Sequence, residues 1–172
     1  METRPAATEY AEYYQKYIGL VPDGDIVGRL RQQVEATLAL LRRVPADREL
    51  YRYAPGKWSI REVVGHVVDT ERVMSLRALW FARSAPGVLP SMEQDDWAAA
   101  SNAEATPLSA LVEDFRSVRA ATVSLFAGLD AEAMSRAGVA SGVTFTARSI
   151  AWILAGHELH HVAGLRRDYG IE

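Results

Sequence analysis

The chain contains no cysteine. That absence excludes disulfides, thiolate metal sites, cysteine nucleophiles and iron–sulfur clusters together, and any thiol used here must come from outside the protein. Long apolar runs are missing too: none approaches the ~18 residues that a membrane span needs. Basic tracts are also lacking. The longest are the pairs Arg42-Arg43 and Arg166-Arg167. Both fall near the ends of expected helices, where cations complement the helix dipole. With a formal net charge of -3, the chain carries no electrostatic footprint for nucleic acid. Residues Met1 to Tyr10 lack the basic start and apolar stretch of a signal peptide. The expectation is a soluble cytoplasmic protein with neither nucleic-acid nor membrane partners.

What is present suits a packed core. Apolar residues make up 49% of the 172 and charged residues 24%, as in ordinary globular domains. The length fits one domain, 1–172. Within it, residues 1–24 form a tyrosine-rich extension (Tyr10, Tyr13, Tyr14, Tyr17) that should pack on the rest. Four segments show apolar residues at three- and four-residue steps. The first spans about Asp25 to Val44, with Asp25 as cap and Pro45 as stop. The second spans about Ser59 to Arg83 and opens on a capping-box spacing, Ser59 to Glu62. The third begins near Pro107 and carries Leu108, Leu111, Phe115, Val118, Leu125 and Leu129. The fourth spans about Thr146 to Tyr169, with Gly170 as terminator. The link 85–106 has room for a short helix. Residues 138–144 have the Val/Thr/Phe content of an extended segment but look too short to seed a sheet. Four long amphipathic helices without strands specify an all-α four-helix bundle.

The four histidines are His66, His157, His160 and His161. His157 and His161 are four residues apart, so a helix stacks them on one face, about 5–6 Å apart at Cβ. Ile150, Ile153 or Leu154, His157, His161 and Leu165 form one stripe whose flanking members are apolar. Two imidazoles aimed into a core must find partners, since an unpaired buried polar group costs roughly 1–3 kcal/mol. One divalent ion would satisfy both. His160 lies off that stripe, nearer the rim. His66 sits inside the second helix, where a facing helix could meet it. Three imidazoles and one open position make a recognised catalytic site, and bundle cores commonly hold such sites.

Residues 157–161 also read H-E-L-H-H, which matches the H-E-x-x-H pattern of zinc proteases. Gly164 extends the match, but the third histidine of the longer pattern would fall at Arg167. Eleven residues follow His161, too few to supply a downstream ligand, and no sheet precedes the helix to hold a peptide. A protease is therefore rejected. Glu158 lies about 100° round the helix from His157, so it is expected to be solvated or to support the ligands rather than to act as general base. Asp69, Thr70 and Glu71 are candidates to orient His66 through its second nitrogen.

Two stretches carry a family resemblance, Lys57-Trp58-Ser59-Ile60-Arg61-Glu62-Val63-Val64-Gly65-His66-Val67-Val68-Asp69-Thr70-Glu71 and Ala155-Gly156-His157-Glu158-Leu159-His160-His161. Between them, Arg77 to Arg83 and Leu89-Pro90 also match. Across nearly its whole length the chain resembles the DinB-like (damage-inducible DinB/YfiT) superfamily. That resemblance implies an up-down-down-up bundle with a three-histidine metal site, to which His66, His157 and His161 correspond. It implies one divalent ion per chain, zinc or nickel first; imidazole ligands leave iron or manganese open as alternatives. Homodimers and thiol-dependent transferase, isomerase or hydrolase activities are also implied. The family name refers to induction by DNA damage and implies no DNA chemistry. An open position on the ion would activate water for hydrolysis or an external thiol for transfer. The other reading is a metal-binding module without catalysis.

Overall fold

A computed structural model describes residues 3–172. The described residues form short α1 (Gln15–Ile18), long α2 (Ile26–Leu41) and α3 (Ile60–Ala82), short α4 (Gln94–Ala100), long α5 (Leu108–Ala127), short α6 (Ala131–Ser135), strands β1 (Ala137–Ala140) and β2 (Val143–Thr146), and long α7 (Ala147–Tyr169). The four long helices match the four periodic segments of the sequence.

Some of their ends are fixed by the residues that the sequence singles out, Asp25, Ser59 with Glu62, and Gly170, and others by partners seen only in the structure. Asp25 accepts from Gly28 N at 2.9 Å. Ser59 and Glu62 close a reciprocal box, with Ser59 N donating to Glu62 Oε2 at 2.7 Å and Glu62 N to Ser59 Oγ at 3.3 Å. Thr146 and Ser149 do the same for α7. Gly170 ends α7 in the left-handed region, at φ 64°, where a residue without Cβ is least strained. The start of α5 is capped from a distance: Leu108 N donates to Glu49 Oε2 at 3.1 Å, a carboxylate placed at the positive end of the helix dipole.

Side-chain pairs between helices give the bundle's directions. From α3 to α5, Arg72 meets Asp114 and Ser75 meets Thr122, so the two run parallel. From α2 to α7, Gln33 meets Ala155 and Thr37 meets Glu158, again parallel. Between the pairs the order reverses: Trp58, just ahead of α3, meets Tyr169, and His66 meets His157. This is the up-down-down-up arrangement. Helices α2 and α3 each pack against both α5 and α7, so these two successive helices sit across a diagonal.

One expectation needs correction. Residues 137–146 do form a sheet, a two-stranded antiparallel hairpin pairing Ala140 with Val143 and Ala137 with Thr146. Its turn, Ser141-Gly142, has positive φ at both positions, 53° and 74°, as two-residue hairpin turns require. An isolated hairpin is marginal in water. This one is held because Phe145 and Ala140 are fully buried and because Leu89 bonds to Val139 O and Ser141 N on the neighbouring strand edge. The third helix also turns slightly differently from its periodic reading. Arg119, Thr122 and Phe126 face the interior, while Val118, Leu125 and Leu129 pack at its margin.

Two apolar clusters fill the bundle. One holds Ile18, Met74, Phe81, Phe126, Phe145 and Trp152, the other Leu38, Val64, Val68, Phe115, Leu165 and Tyr169. Along α3 the second cluster gives way to the first between Val68 and Met74, and along α7 the first gives way to the second between Ala155 and Leu165. The polar interior residues occupy that seam. No helix among the described residues is long and apolar enough to cross a membrane.

Helix α7 approaches the N-terminal segment at Gly156, where any Cβ would strike the Tyr17 backbone. Gly156→Ala should therefore lower unfolding free energy by ~1–3 kcal/mol through forced displacement of α1. Gly164→Ala, whose Cβ meets nothing within 4 Å, should raise it by ~0.5–1 kcal/mol. Urea unfolding of the two variants checks the contrast; equal effects would refute the close approach.

Candidate metal centre

The seam brings the three sequence-selected histidines together. His66 enters from α3, His157 and His161 from α7. His157 Nε2 lies 3.1 Å from His66 Nε2 and 3.1 Å from His161 Nε2, and the potential ligand atoms of all three lie within 4.8 Å of one another. A metal–nitrogen bond of about 2.05 Å would set two nitrogens about 2.9 Å apart at a right angle and about 3.3 Å apart at the tetrahedral angle. The two separations from His157 fall between these values. Direct hydrogen bonding explains the cluster less well. One Nε2 offers either a proton or a lone pair, so His157 cannot pair well with two neighbours at once, whereas one shared cation would serve all three.

Electrostatics favour neutral imidazoles with free lone pairs. Burial pushes His66 down to about 4, against a small opposing pull from Asp95. Burial, with His66 and His160 nearby, takes His161 to about 3. His157 is held well below its ordinary value by burial and by its two neighbours. A neutral imidazole is the form that binds metal.

Aromatic rings fix the orientation. The Trp58 ring packs 4.7 Å from the His66 ring, and the Tyr17 ring meets that of His157 edge-on at 5.3 Å. His160 is exposed, as its offset from the stripe implies, and touches Tyr17 and His161. Of the three residues considered for orienting His66, only Thr70 is adjacent, with Oγ1 3.5 Å from Nδ1. Asp69 pairs loosely with Arg72, and Glu71 turns to Arg119.

Glu158 is not solvated. It is 2% exposed, accepts from Thr37 Oγ1 at 2.5 Å and pairs with Arg119 at 2.6 Å. Arg119, 1% exposed, also holds Glu71 through two bonds of 2.6 and 2.8 Å and donates to Leu30 O at 3.2 Å. Burial opposes the Arg119 charge, but the two carboxylates outweigh it and hold its pKa above the ordinary value. One cation shared by two carboxylates leaves Glu158 less than fully compensated. Burial raises its pKa despite Arg119. Engaged in this way, Glu158 is unavailable as a general base. The sequence reading missed Arg119 and Thr37. The available signal was an arginine inside an apolar helical stripe, Leu111, Phe115, Arg119, Thr122 and Phe126.

Two cavities open on either side of the histidines. A polar one of about 430 Å³ reaches His160 and His161 and includes Tyr53, Lys57, Trp58 and Arg167. A second of about 260 Å³ reaches His66 and His157. Gln94 of α4 lines both.

A four-helix bundle with three histidines converging in its polar seam defines a class of helical proteins with a candidate metal centre. The sequence model of the DinB superfamily matches residues 29–164, and the chain belongs to that superfamily. Among solved structures the fold is similar to YfiT from Bacillus subtilis, assigned as a probable metal-dependent hydrolase with an unusual four-helix bundle topology. The two share 15% identity over 99% of this chain and 95% of that one, with a TM-score of 0.69. It is also similar to a mycothiol-dependent maleylpyruvate isomerase, at 16% identity and TM-score 0.68, over 90% of this chain but only 63% of that longer one. A DinB-like protein, YjoA from Bacillus subtilis, aligns at 20% identity over 87% of this chain and 94% of that one, with a TM-score of 0.60. At these identities the likeness is one of fold. No curated protein matches the sequence.

Removing Arg119 strands two buried carboxylates. Arg119→Met should cost ~3–5 kcal/mol of stability, read by urea unfolding, with Glu158→Gln costing less because its amide still accepts from Arg119. A loss for Arg119→Met under about 1 kcal/mol, the range of a surface pair, would show that the network does not hold the bundle.

Proposed function

We propose that this chain is a metal-dependent enzyme whose single divalent ion is held by His66, His157 and His161. The observation that carries the reading is the convergence of three neutral imidazole Nε2 atoms at a place reached by two cavities. A divalent ion there would supply Lewis acidity, lowering the pKa of a water from 15.7 to about 7 or stabilising an incoming thiolate. The chain's own residues do the rest. Trp58 and Tyr17 lock the imidazole orientations, and Thr70 supports His66.

The presence of two cavities favours two reactants over one, hence transfer involving a low-molecular-weight thiol ahead of simple hydrolysis. The polar cavity, lined by Lys57, Asp95, the Arg167–Asp168 pair and aromatic walls, offers polar partners of both signs to the thiol's carrier molecule. The thiol dependence of the isomerase named above agrees with this order, and the hydrolase assignment of YfiT supports the second reading. Zinc or nickel suits an all-imidazole donor set, as do iron and manganese less selectively. The same reading takes residues 1–172 as one domain and the working unit as a cytoplasmic homodimer. Leu76 and Leu79, one turn apart on α3 and both exposed, offer an apolar strip to a second copy. Light scattering that gives a monomer mass would remove the dimer without touching the site.

Elemental analysis of protein purified without a nickel-affinity step tests the centre. Wild type should carry about one equivalent per chain, His157→Ala less than a tenth of that, and His160→Ala nearly the full amount. Metal-free wild type after reconstitution would end the metal reading. Retention of metal together with inactivity in both thiol-transfer and hydrolase assays would favour a non-catalytic metal-binding module.

A further inference from the structure

Two arginines are buried among the described residues, and they are treated differently. Arg119 is neutralised by two carboxylates. Arg77, 4% exposed, has none. Its Nη2 donates to Pro90 O at 2.8 Å and to Ser141 Oγ at 3.0 Å, and its Nη1 contacts Met74 Sδ at 3.4 Å. All three acceptors are neutral, and a thioether is a weak one. A guanidinium has five N–H donors, so donors remain that no described residue accepts. Burial pushes its pKa down, with only the Tyr14 phenol opposing. A buried charge without a counter-ion is costly to the fold, and here the charge lines a cavity.

That cavity is the one of about 260 Å³ that also reaches His66 and His157, roughly nine water volumes. His66 and Arg77 are eleven residues apart on α3. Eleven residues are close to three full turns, so both leave the same face, about 16 Å apart along the axis. The contact with Met74 shows the arginine reaching back one turn towards the histidines. Between them the wall is mainly apolar, from Val73, Met74, Met92 and Ile153. Glu93 lies at the exposed rim, and no carboxylate comes within 4 Å of Arg77 among the described residues. Lys16, over the rings of Tyr13 and Tyr17, is exposed.

We infer that this cavity takes a small organic acid whose carboxylate pairs with Arg77, whose apolar body lies along Met74, Met92 and Ile153, and whose other end meets the three-histidine centre. Calling that acid a substrate rests on the metal-dependent reading; the anion site itself does not. Arg77 is the specificity-determining cation, and its bonds to Pro90 and Ser141 hold the guanidinium in place before the anion arrives.

The test is methyl-carbon NMR of the full chain with labelled methionines, titrated with hexanoate or its neutral analogue hexanamide, metal-free and zinc-reconstituted. The sequence has four methionines. Met74 and Met92 line the cavity, while Met134 is buried outside it and serves as reference. Hexanoate should shift Met74 and Met92 saturably in both metal states and leave Met134 unmoved. Hexanamide should bind at least about tenfold more weakly, the factor expected for losing a charged hydrogen bond. Arg77→Gln should weaken hexanoate by a similar factor without changing hexanamide, and Arg77→Lys should restore part of it. Equal affinity for the two probes, or full hexanoate binding by Arg77→Gln, overturns the proposal. If Arg77→Gln does not fold, the comparison of probes on wild type still decides. Hexanoate binding only with zinc would place the carboxylate on the ion; that outcome overturns the role of Arg77 and leaves the metal reading intact. Conversely, Arg77-dependent binding in a protein that takes up no metal would keep the anion site and remove the enzyme reading.

Discussion

The buried guanidinium of Arg119 is the constraint around which the bundle is arranged. It leaves α5, bonds a backbone carbonyl of α2, a carboxylate of α3 and a carboxylate of α7. Apolar packing alone tolerates rotation and sliding of helices against one another, because it is non-directional. A fully buried cation does not, because each of its partners must sit within hydrogen-bond distance or the charge is stranded. One side chain therefore fixes the register of all four long helices. Glu158 belongs to that network and adjoins His157 in the chain, so the rotation of α7 that satisfies Arg119 is also the rotation that presents His157 and His161 to His66.

This arrangement explains why the polar residues lie in a seam. The two apolar clusters stabilise the ends of the bundle and bury most of the polar side chains held between them. In that low-polarity layer charged forms are penalised. The imidazoles respond by staying neutral, the form that donates lone pairs to a metal. The carboxylates respond by sharing a cation. The same desolvation thus has opposite consequences a few residues apart, according to whether an oppositely charged partner was built in. Arg77 is the exception among the buried ions, a cation with neutral partners lining a cavity.

The short elements serve the site. Helix α1 carries Tyr17 against His157 and touches α7 where Gly156 has no side chain. The loop before α3 delivers Trp58 to His66. Helix α4 supplies Gln94 to both cavities, and the hairpin turn supplies Ser141 to Arg77. None of these contacts comes from a long helix packing on another. They come from connections whose lengths and turns place single side chains.

Much of this was legible in the sequence because it is local. Periodicity, the caps at Asp25 and Ser59, and the terminator Gly170 fix helices through interactions spanning a few residues. The four-residue spacing of His157 and His161 puts them on one face for the same reason. What was decided only in three dimensions involves pairs far apart in the chain. That His66 meets the other two depends on α3 and α7 being antiparallel neighbours, and that Glu158 is buried rather than solvated depends on Arg119, 39 residues away. The hairpin at residues 137–146 was misjudged because its strands are too short to be stable alone; burial of Phe145 against the bundle holds them. Local propensity determined the elements of this protein, and the pairing of buried charges determined which of their faces meet.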